Sequence, residues 1–393
     1  MSKPPHSVVR RSPWPQGTDG AVGTPLQPSV VYRSGSPDDL DAIYEGRADG
    51  YTYAREGHPN ASVLAHKIDA LEGATGGIIT GSGMSAVASV LFSLLQSGDH
   101  IIGADQLYGR SMRLMNEELP RMGIETALAD PTDASAFAAA LQPNTKMILI
   151  EVVSNPTLRI ADMQGLAKLA SDNGILLVVD NTFTTPRGFR PFEHGADIVV
   201  HSVTKLLAGH SDVTLGYVVA KKPEQMARIN ATAVTMGLTA SPFDCWLAER
   251  GLYSFELRYD RAEENAEKLA AALADMPNVG RVLYPTRSDH PDHNRASALL
   301  GDRGGNMVSF EIKGGRDAAN RLVQAAPNIA FAPTLGDIGT TLSHPASSSH
   351  RILSDAERHA LGMSQGFFRV SVGVEAIDLL ISEFETAVAQ AVT

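Results

Sequence analysis

Three short segments of this 393-residue chain carry residue types that could do chemistry. The first is Ile78-Ile79-Thr80-Gly81-Ser82-Gly83-Met84, an apolar run that meets small residues and then opens a helical pattern. Free backbone N–H groups at a helix N-terminus, with the helix dipole, hold anions. Gly81, Gly83 and Ala86 match a dinucleotide-binding spacing, with Asp105 placed to meet a ribose. The same residues match a phosphate cup for a smaller cofactor, or a tight turn of small residues. The second segment is Ile175-Leu176-Leu177-Val178-Val179-Asp180-Asn181, which ends a buried strand pattern in a carboxylate. Ligands of α/β proteins gather at that end of the strands, although an aspartate there also serves as a helix cap or turn residue. The third is Ile198-Val199-Val200-His201-Ser202-Val203-Thr204-Lys205, a strand pattern that runs into two hydroxyls and a lysine. A lysine whose ammonium is disfavoured by burial and a neighbouring cation can form a Schiff base. Together, Asp180 and Lys205 suit pyridoxal phosphate: the carboxylate keeps the pyridinium nitrogen protonated and the amine holds the aldehyde. Ser202 and Thr204 could donate to its phosphate.

These segments need a scaffold, and the patterning supplies one. Asn60 is placed to cap a helix with Leu64, Ile68 and Leu71 on one face, ended by Gly73. Ile78–Thr80 and His100–Gly103 read as short strands, and Met84–Leu95 as a helix with Val87, Val90, Leu91, Leu94 and Leu95 at helical spacing. Met147–Val153 and Ile175–Val179 are continuous apolar runs, the pattern of parallel strands covered on both faces, and Ile198–Val200 and Thr214–Ala220 look similar. Strands alternating with helices predict an α/β fold built on a doubly wound, mostly parallel sheet. A long Ala-rich helix over 254–275 leads into strands near 280–284, 307–312 and 367–372 and a last helix from 376 to about 390, a smaller α+β domain. The expected organisation is an extended, proline-rich N-terminal arm over 1–58, a large domain over 59–250 and a smaller C-terminal domain over 251–393. An arm of that length without its own core lies on the parent domain or on a second subunit.

Composition bounds the rest. The chain is 43% hydrophobic and 20% charged, so it can bury a large core. Its net charge of -11 argues against a general nucleic-acid binder, which needs excess cations to displace counterions. A single cysteine, Cys245, permits no intrachain disulfide and suggests a reducing compartment, hence a cytoplasmic location. No apolar run reaches membrane-span length, and Met1 to Gly17 carries basic residues without the apolar stretch of a signal peptide. The 12 histidines show no metal-ligand spacing, so no metal is expected.

Ordered motifs from about Tyr51 to Phe384 make the chain resemble the pyridoxal-phosphate enzymes of cysteine and methionine metabolism, the cystathionine γ-synthase, cystathionine γ-lyase and methionine γ-lyase group. They include Tyr53-Ala54-Arg55-Glu56-Gly57-His58-Pro59, Leu107-Tyr108-Gly109, Ser154-Asn155-Pro156, Val179-Asp180-Asn181-Thr182-Phe183, Gly209-His210-Ser211-Asp212, Thr334-Leu335-Gly336-Asp337 and Arg369-Val370-Ser371-Val372-Gly373, besides the glycine and lysine segments above. The resemblance implies fold type I of the cofactor's transferases, and it leaves an NAD-binding oxidoreductase as a distant alternative. It implies that Lys205 holds the cofactor covalently and shuttles protons, that Asp180 pairs with the ring nitrogen, and that Tyr108 stacks on the ring and protonates a leaving group. Gly83, Met84, Ser202 and Thr204 would hold the phosphate, while Tyr53 and Arg55 would reach the phosphate of a neighbouring subunit's site. That sharing implies a homotetramer of two dimers. Asn155, Thr334 and Arg369 would meet the substrate, Arg369 as a bidentate fork on its carboxylate.

The implied reaction is γ-elimination from a methionine- or homoserine-type amino acid, through a vinylglycine intermediate to 2-oxobutyrate and ammonia. The implied alternative is γ-replacement on an O-acylhomoserine, as in a cystathionine γ-synthase or homoserine sulfhydrylase. Some positions depart from the group's pattern. Thr52 and Pro333 stand where cystathionine enzymes carry glutamates, which points away from cystathionine. Arg110 stands where methionine γ-lyases place a cysteine, and is a candidate for an anionic leaving group or a partner for Glu56 or Asp337. Glu56 is a candidate for a cationic substrate tail such as that of canavanine.

Overall fold

The continuous apolar runs form the middle of a seven-stranded sheet. The computed structural model describes residues 22–351 and 353–392, so Met1–Gly17 and the first 21 residues of the expected arm lie outside the described residues. The strands of the large sheet are β1 (Ile78–Thr80), β2 (His100–Ala104), β3 (Glu125–Ala129), β4 (Thr145–Glu151), β5 (Leu176–Asp180), β6 (Ile198–Ser202) and β7 (Gly216–Ala220), in the order β1-β7-β6-β5-β4-β2-β3. Pairings from β3 through β2, β4 and β5 to β6 are parallel. The run at 214–220 differs from the expectation of another parallel strand. It begins at Gly216 and turns back antiparallel between β6 and β1, because only a short return separates it from β6. Strand β3 carries no continuous apolar run, since an edge strand is half exposed.

This order removes the dinucleotide reading. A dinucleotide crevice needs its glycine turn and its acidic residue on neighbouring parallel strands. Here β1 is an antiparallel edge strand, and Asp105 follows β2 on the far side of the sheet. Gly81 instead lets the backbone pass the 238–239 segment, where a Cβ would lie 2.9 Å from the Thr239 carbonyl oxygen.

The helix Pro59–Glu72 ends at Gly73 in the left-handed conformation, as expected, but its cap is His58 and not Asn60. Imidazole Nδ1 accepts from Ala61 N at 3.1 Å, which leaves Nε2–H to donate to the Ala240 carbonyl at 3.1 Å. Pro59 occupies the first helical position. Asn60 is buried and ties down the preceding segment: its Oδ1 accepts from Gln27 N and its Nδ2 donates to the Pro25 carbonyl, both at 3.0 Å.

The second sheet holds β8 (Val279–Leu283), β9 (Met307–Ile312), β10 (Ala330–Phe331), β11 (Thr341–Ser343) and β12 (Phe367–Ser371), in the order β10-β11-β12-β9-β8. One long helix, Phe255–Asp275, serves both hydrophobic clusters. Its first turns put Phe255 and Tyr259 into the cluster of the large sheet, and its later turns put Ala266, Leu269, Ala270 and Leu273 into that of the small one. Among the described residues no helix is long and apolar enough to cross a membrane.

Candidate active site

Parallel strands end together, so the residues that follow β4, β5 and β6 meet at one edge of the sheet. The central strand β12 of the small sheet faces them with Arg369. Between lies a cavity of about 220 Å³ lined by Gly83, Met84, Tyr108, Glu151, Asn155, Asp180, Ser202, Thr204, Lys205, Thr334 and Arg369, with Thr182, Phe183 and Pro333 among its other walls. Of the residues singled out in the sequence, Tyr53, Arg55 and Arg110 do not reach it. Tyr53 and Arg55 are exposed, the guanidinium 5.3 Å over the Tyr53 ring. Arg110 is exposed in the short helix Gly109–Arg113 and pairs with neither candidate partner: Glu56 lies 3.6 Å from Arg55, and Asp337 Oδ1 accepts from Gly339 N.

The anion end is built from the helix Gly83–Leu94. Its cap, Ser82, accepts from Ser85 N at 3.0 Å, and its first N–H groups open toward the cavity. Gly83 is required by contact: a Cβ there would lie 2.7 Å from Ser202 Cβ. Among the described residues the Ser202 hydroxyl makes no hydrogen bond, whereas that of Thr204 donates to the Leu215 carbonyl and accepts from Leu215 N.

Lys205 sits in the turn after β6, where Gly336, at φ +79°, presses on it; a Cβ on Gly336 would lie 2.5 Å from Leu206 N. Its Nζ reaches Thr334 Oγ1 at 3.4 Å. Burial lowers the ammonium's pKa, and the Arg369 cation adds to the effect. Asp180 is half-buried at the end of β5, and desolvation there raises its pKa; hydrogen bonds from Thr182 N at 3.0 Å and Thr182 Oγ1 at 2.5 Å, and the nearby His201, favour the anion. His201 itself is bonded to the buried Glu72, which also accepts from Asn181 Nδ2 at 2.9 Å. Arg369 donates to Asn155 Oδ1 at 2.7 Å and to the Thr334 carbonyl at 2.8 Å, while its Nε is buried without a partner. Burial lowers its pKa to about 10, so it remains a cation at neutral pH.

Sequence reasoning passed over Glu151, although a carboxylate ending an apolar strand was the signal that singled out Asp180. It also passed over Arg258, whose bonds to the carbonyls of Leu206, Leu207 and Ala208 reach back 50–52 positions in the chain.

The wall fits pyridoxal phosphate: an anion cup at a helix N-terminus, a free hydroxyl on Ser202, an amine with a depressed pKa, and a half-buried carboxylate for a ring cation. The orphaned Arg369 Nε fits a substrate carboxylate. Comparison with known proteins agrees. The chain is 39% identical over 372 residues to cystathionine beta-lyase MetC of Bacillus subtilis (strain 168), covering 94% of this chain and 92% of that protein. It is 40% identical over 369 residues to L-methionine gamma-lyase of Fusobacterium nucleatum subsp. polymorphum, covering 93% of each. It superposes with a TM-score of 0.90 and 35% identity on cystathionine gamma synthase from Xanthomonas oryzae pv. oryzae in complex with cystathionine, covering 95% of each chain. Residues 7–389 match the family model described as Cys/Met metabolism PLP-dependent enzyme. The chain belongs to that family and is a pyridoxal-phosphate-dependent enzyme acting on an amino acid.

Proposed function

We propose that this enzyme is a γ-lyase, eliminating the γ-substituent of a methionine- or homoserine-type amino acid to leave 2-oxobutyrate and ammonia. The observation that carries this reading is the facing of Lys205 Nζ, Asp180 and the Arg369–Asn155 clamp across one cavity whose lining has the uncharged Pro333 beside Thr334. A cystathionine tail carries an ammonium, and Pro333 offers it no counter-charge.

Pyridoxal phosphate, held by the helix N-terminus at Gly83 and Met84, by Ser202 and by Lys205, supplies an electron sink for the substrate's α- and β-carbons. The remaining work belongs to the protein. Arg369 receives the substrate carboxylate on its spare donors, with Asn155 holding the guanidinium in plane. The Lys205 amine, its ammonium disfavoured by burial, would take the α-proton at Nζ, hand a proton back, and then take the β-proton whose loss expels the γ-group. Asp180 holds the positive charge of the ring nitrogen through its own negative one. The Tyr108 hydroxyl delivers a proton to the departing γ-atom. Thr204 contributes to the anion cup only by turning its hydroxyl from the Leu215 carbonyl.

The exposure of Tyr53 and Arg55, away from their own cavity, supports a role for them at a neighbouring subunit's site in a homotetramer of two dimers. In that arrangement, mixing inactive Lys205→Ala and Arg55→Ala subunits restores part of the activity. A single cysteine and the family's metabolic chemistry support a cytoplasmic location.

A second reading, γ-replacement on an O-acylhomoserine, is supported by the likeness to the γ-synthase fold. A substrate panel separates the two: methionine, homocysteine, cystathionine, O-acetyl- and O-succinylhomoserine, and canavanine, with and without added thiol. Elimination gives 2-oxobutyrate without thiol from one γ-substituted substrate. Product only with thiol moves the enzyme to replacement, and pyruvate from cystathionine moves it to β-elimination.

A further inference from the structure

Two carboxyl groups end neighbouring parallel strands in register. Glu151 closes β4 opposite Asp180, which closes β5. Both line the main cavity, so both side chains leave the same face of the sheet. Side by side in the cavity wall, a charge on Asp180 raises the cost of ionising the buried Glu151.

Their surroundings choose between them. Asp180 accepts two hydrogen bonds from Thr182 and has His201 nearby on β6. Glu151 has Tyr108 N, which donates to its Oε1 at 2.6 Å, and the Asn155 backbone N–H, which also favours the anion, while Oε2 is buried without a hydrogen bond of good geometry. The charged groups that bear on Glu151 are Asp180 on β5 and Arg369 on β12. Arg369 favours ionisation, but its hydrogen bonds go to Asn155 and Thr334. Burial and the Asp180 charge outweigh it and hold the Glu151 carboxyl well above the usual range.

We propose that Glu151 stands in the cavity wall as an un-ionised acid: its Oε1 fixes the backbone N–H of Tyr108, and its Oε2–H is a hydrogen-bond donor to the occupant. Asp180 is then left as the one anion for a ring nitrogen to meet. Glu151 thereby positions Tyr108 and keeps a second negative charge out of this end of the cavity. Its protonation does not depend on whether elimination or replacement follows.

The test uses the holoenzyme without substrate, so a wrong substrate assignment leaves it untouched. Protein made with carboxyl-labelled ¹³C-glutamate is compared with Glu151→Gln by difference infrared spectroscopy at neutral pH. An acid carbonyl stretch present in the parent and missing from the variant is expected; loss of a carboxylate stretch instead overturns the proposal. Cofactor affinity gives a second readout. Glutamine keeps a neutral acceptor and donor, so Glu151→Gln retains pyridoxal phosphate within about threefold, while Glu151→Ala weakens it by about tenfold or more. Equal losses in the two variants would mean that a negative charge is required, and would overturn it. Should neither variant fold, a pH titration of the labelled parent decides, since a carboxylate spectrum for all buried glutamate at pH 7 is incompatible with the proposal.

Discussion

Replacing Arg258 by methionine tests how the Lys205 turn is held. Arg258 is 6% exposed, on the helix Phe255–Asp275. Its Nη1 donates to the Leu206 carbonyl at 3.0 Å, and its Nη2 to the carbonyls of Leu207 at 3.2 Å, Ala208 at 3.4 Å and Gly251 at 3.0 Å. The first three belong to the residues directly after Lys205, and the fourth to the C-terminal end of the helix Pro242–Leu252, where a cation is favoured. Gly209 makes room: a Cβ there would lie 1.9 Å from Nη1. Burial lowers the guanidinium's pKa to about 10, so it is charged at neutral pH. Methionine keeps an apolar stem and removes every donor. Two of the orphaned acceptors have good geometry, and bonds from a charged donor contribute about 1.5–3 kcal/mol each. The expected loss is therefore roughly 3–6 kcal/mol before an offset, which arises because a buried charge is no longer desolvated. Lysine keeps the charge but not the fork, so Arg258→Lys should fall between the two. Urea unfolding of holoenzyme measures the stability change, and the visible absorption of bound cofactor measures retention at Lys205. If Arg258→Met unfolds within about 1 kcal/mol of the parent, a value below even one such bond, the carbonyl cluster does not hold the turn.

Other predictions concern charge and close contact. His350 is buried, with its pKa lowered to about 4 by burial and by Arg369 and Arg358. Between pH 6.5 and 4 the unfolded chain takes a proton that the folded one declines, so stability falls with acidification by up to about 3 kcal/mol; His350→Gln should flatten that limb in a pH series of melts. Asp105 acts in the opposite sense. Burial and Asp130 raise its pKa to about 6. From pH 6 down to 3.8 the folded state binds the extra proton and gains stability, so Asp105→Asn should steepen the acid limb. Gly83→Val forces a side chain onto Ser202, whose Cβ is already 2.7 Å from the position of a Cβ at residue 83. Its expected signature is weaker cofactor binding in a spectroscopic titration with circular dichroism preserved. Gly109→Ala drives a methyl to 2.1 Å from the Ser349 carbonyl oxygen, displacing the segment that carries Tyr108, and should lower kcat more than melting temperature.

Much of the scaffold was written locally. Apolar runs at 147–153, 175–179 and 198–200 lie among the strands they predicted, because a parallel strand covered on both faces needs apolar residues throughout. Gly73 closes its helix because only a left-handed residue turns the chain there at low cost. Asp180 and Lys205 were conspicuous for a related reason: a polar group ending a buried strand has to be satisfied by something. The edge strand β3 and the antiparallel return of β7 were not legible. Edge strands alternate weakly, and strand direction depends on where the chain returns.

What the sequence determined by itself is therefore the chemistry on offer at each strand end and the family to which the chain belongs. The tertiary structure decided which groups face one another. Arg369 and Asn155 meet across 214 positions of sequence, Glu151 and Asp180 become a pair through the register of two strands, and Arg258 reaches the turn after Lys205 from a helix far along the chain. None of these contacts has a local signal, because each depends on distances between elements that only the packing of the two sheets sets. Charge states follow the same rule: which of two neighbouring carboxyls keeps its proton is a property of the buried neighbourhood, not of either residue.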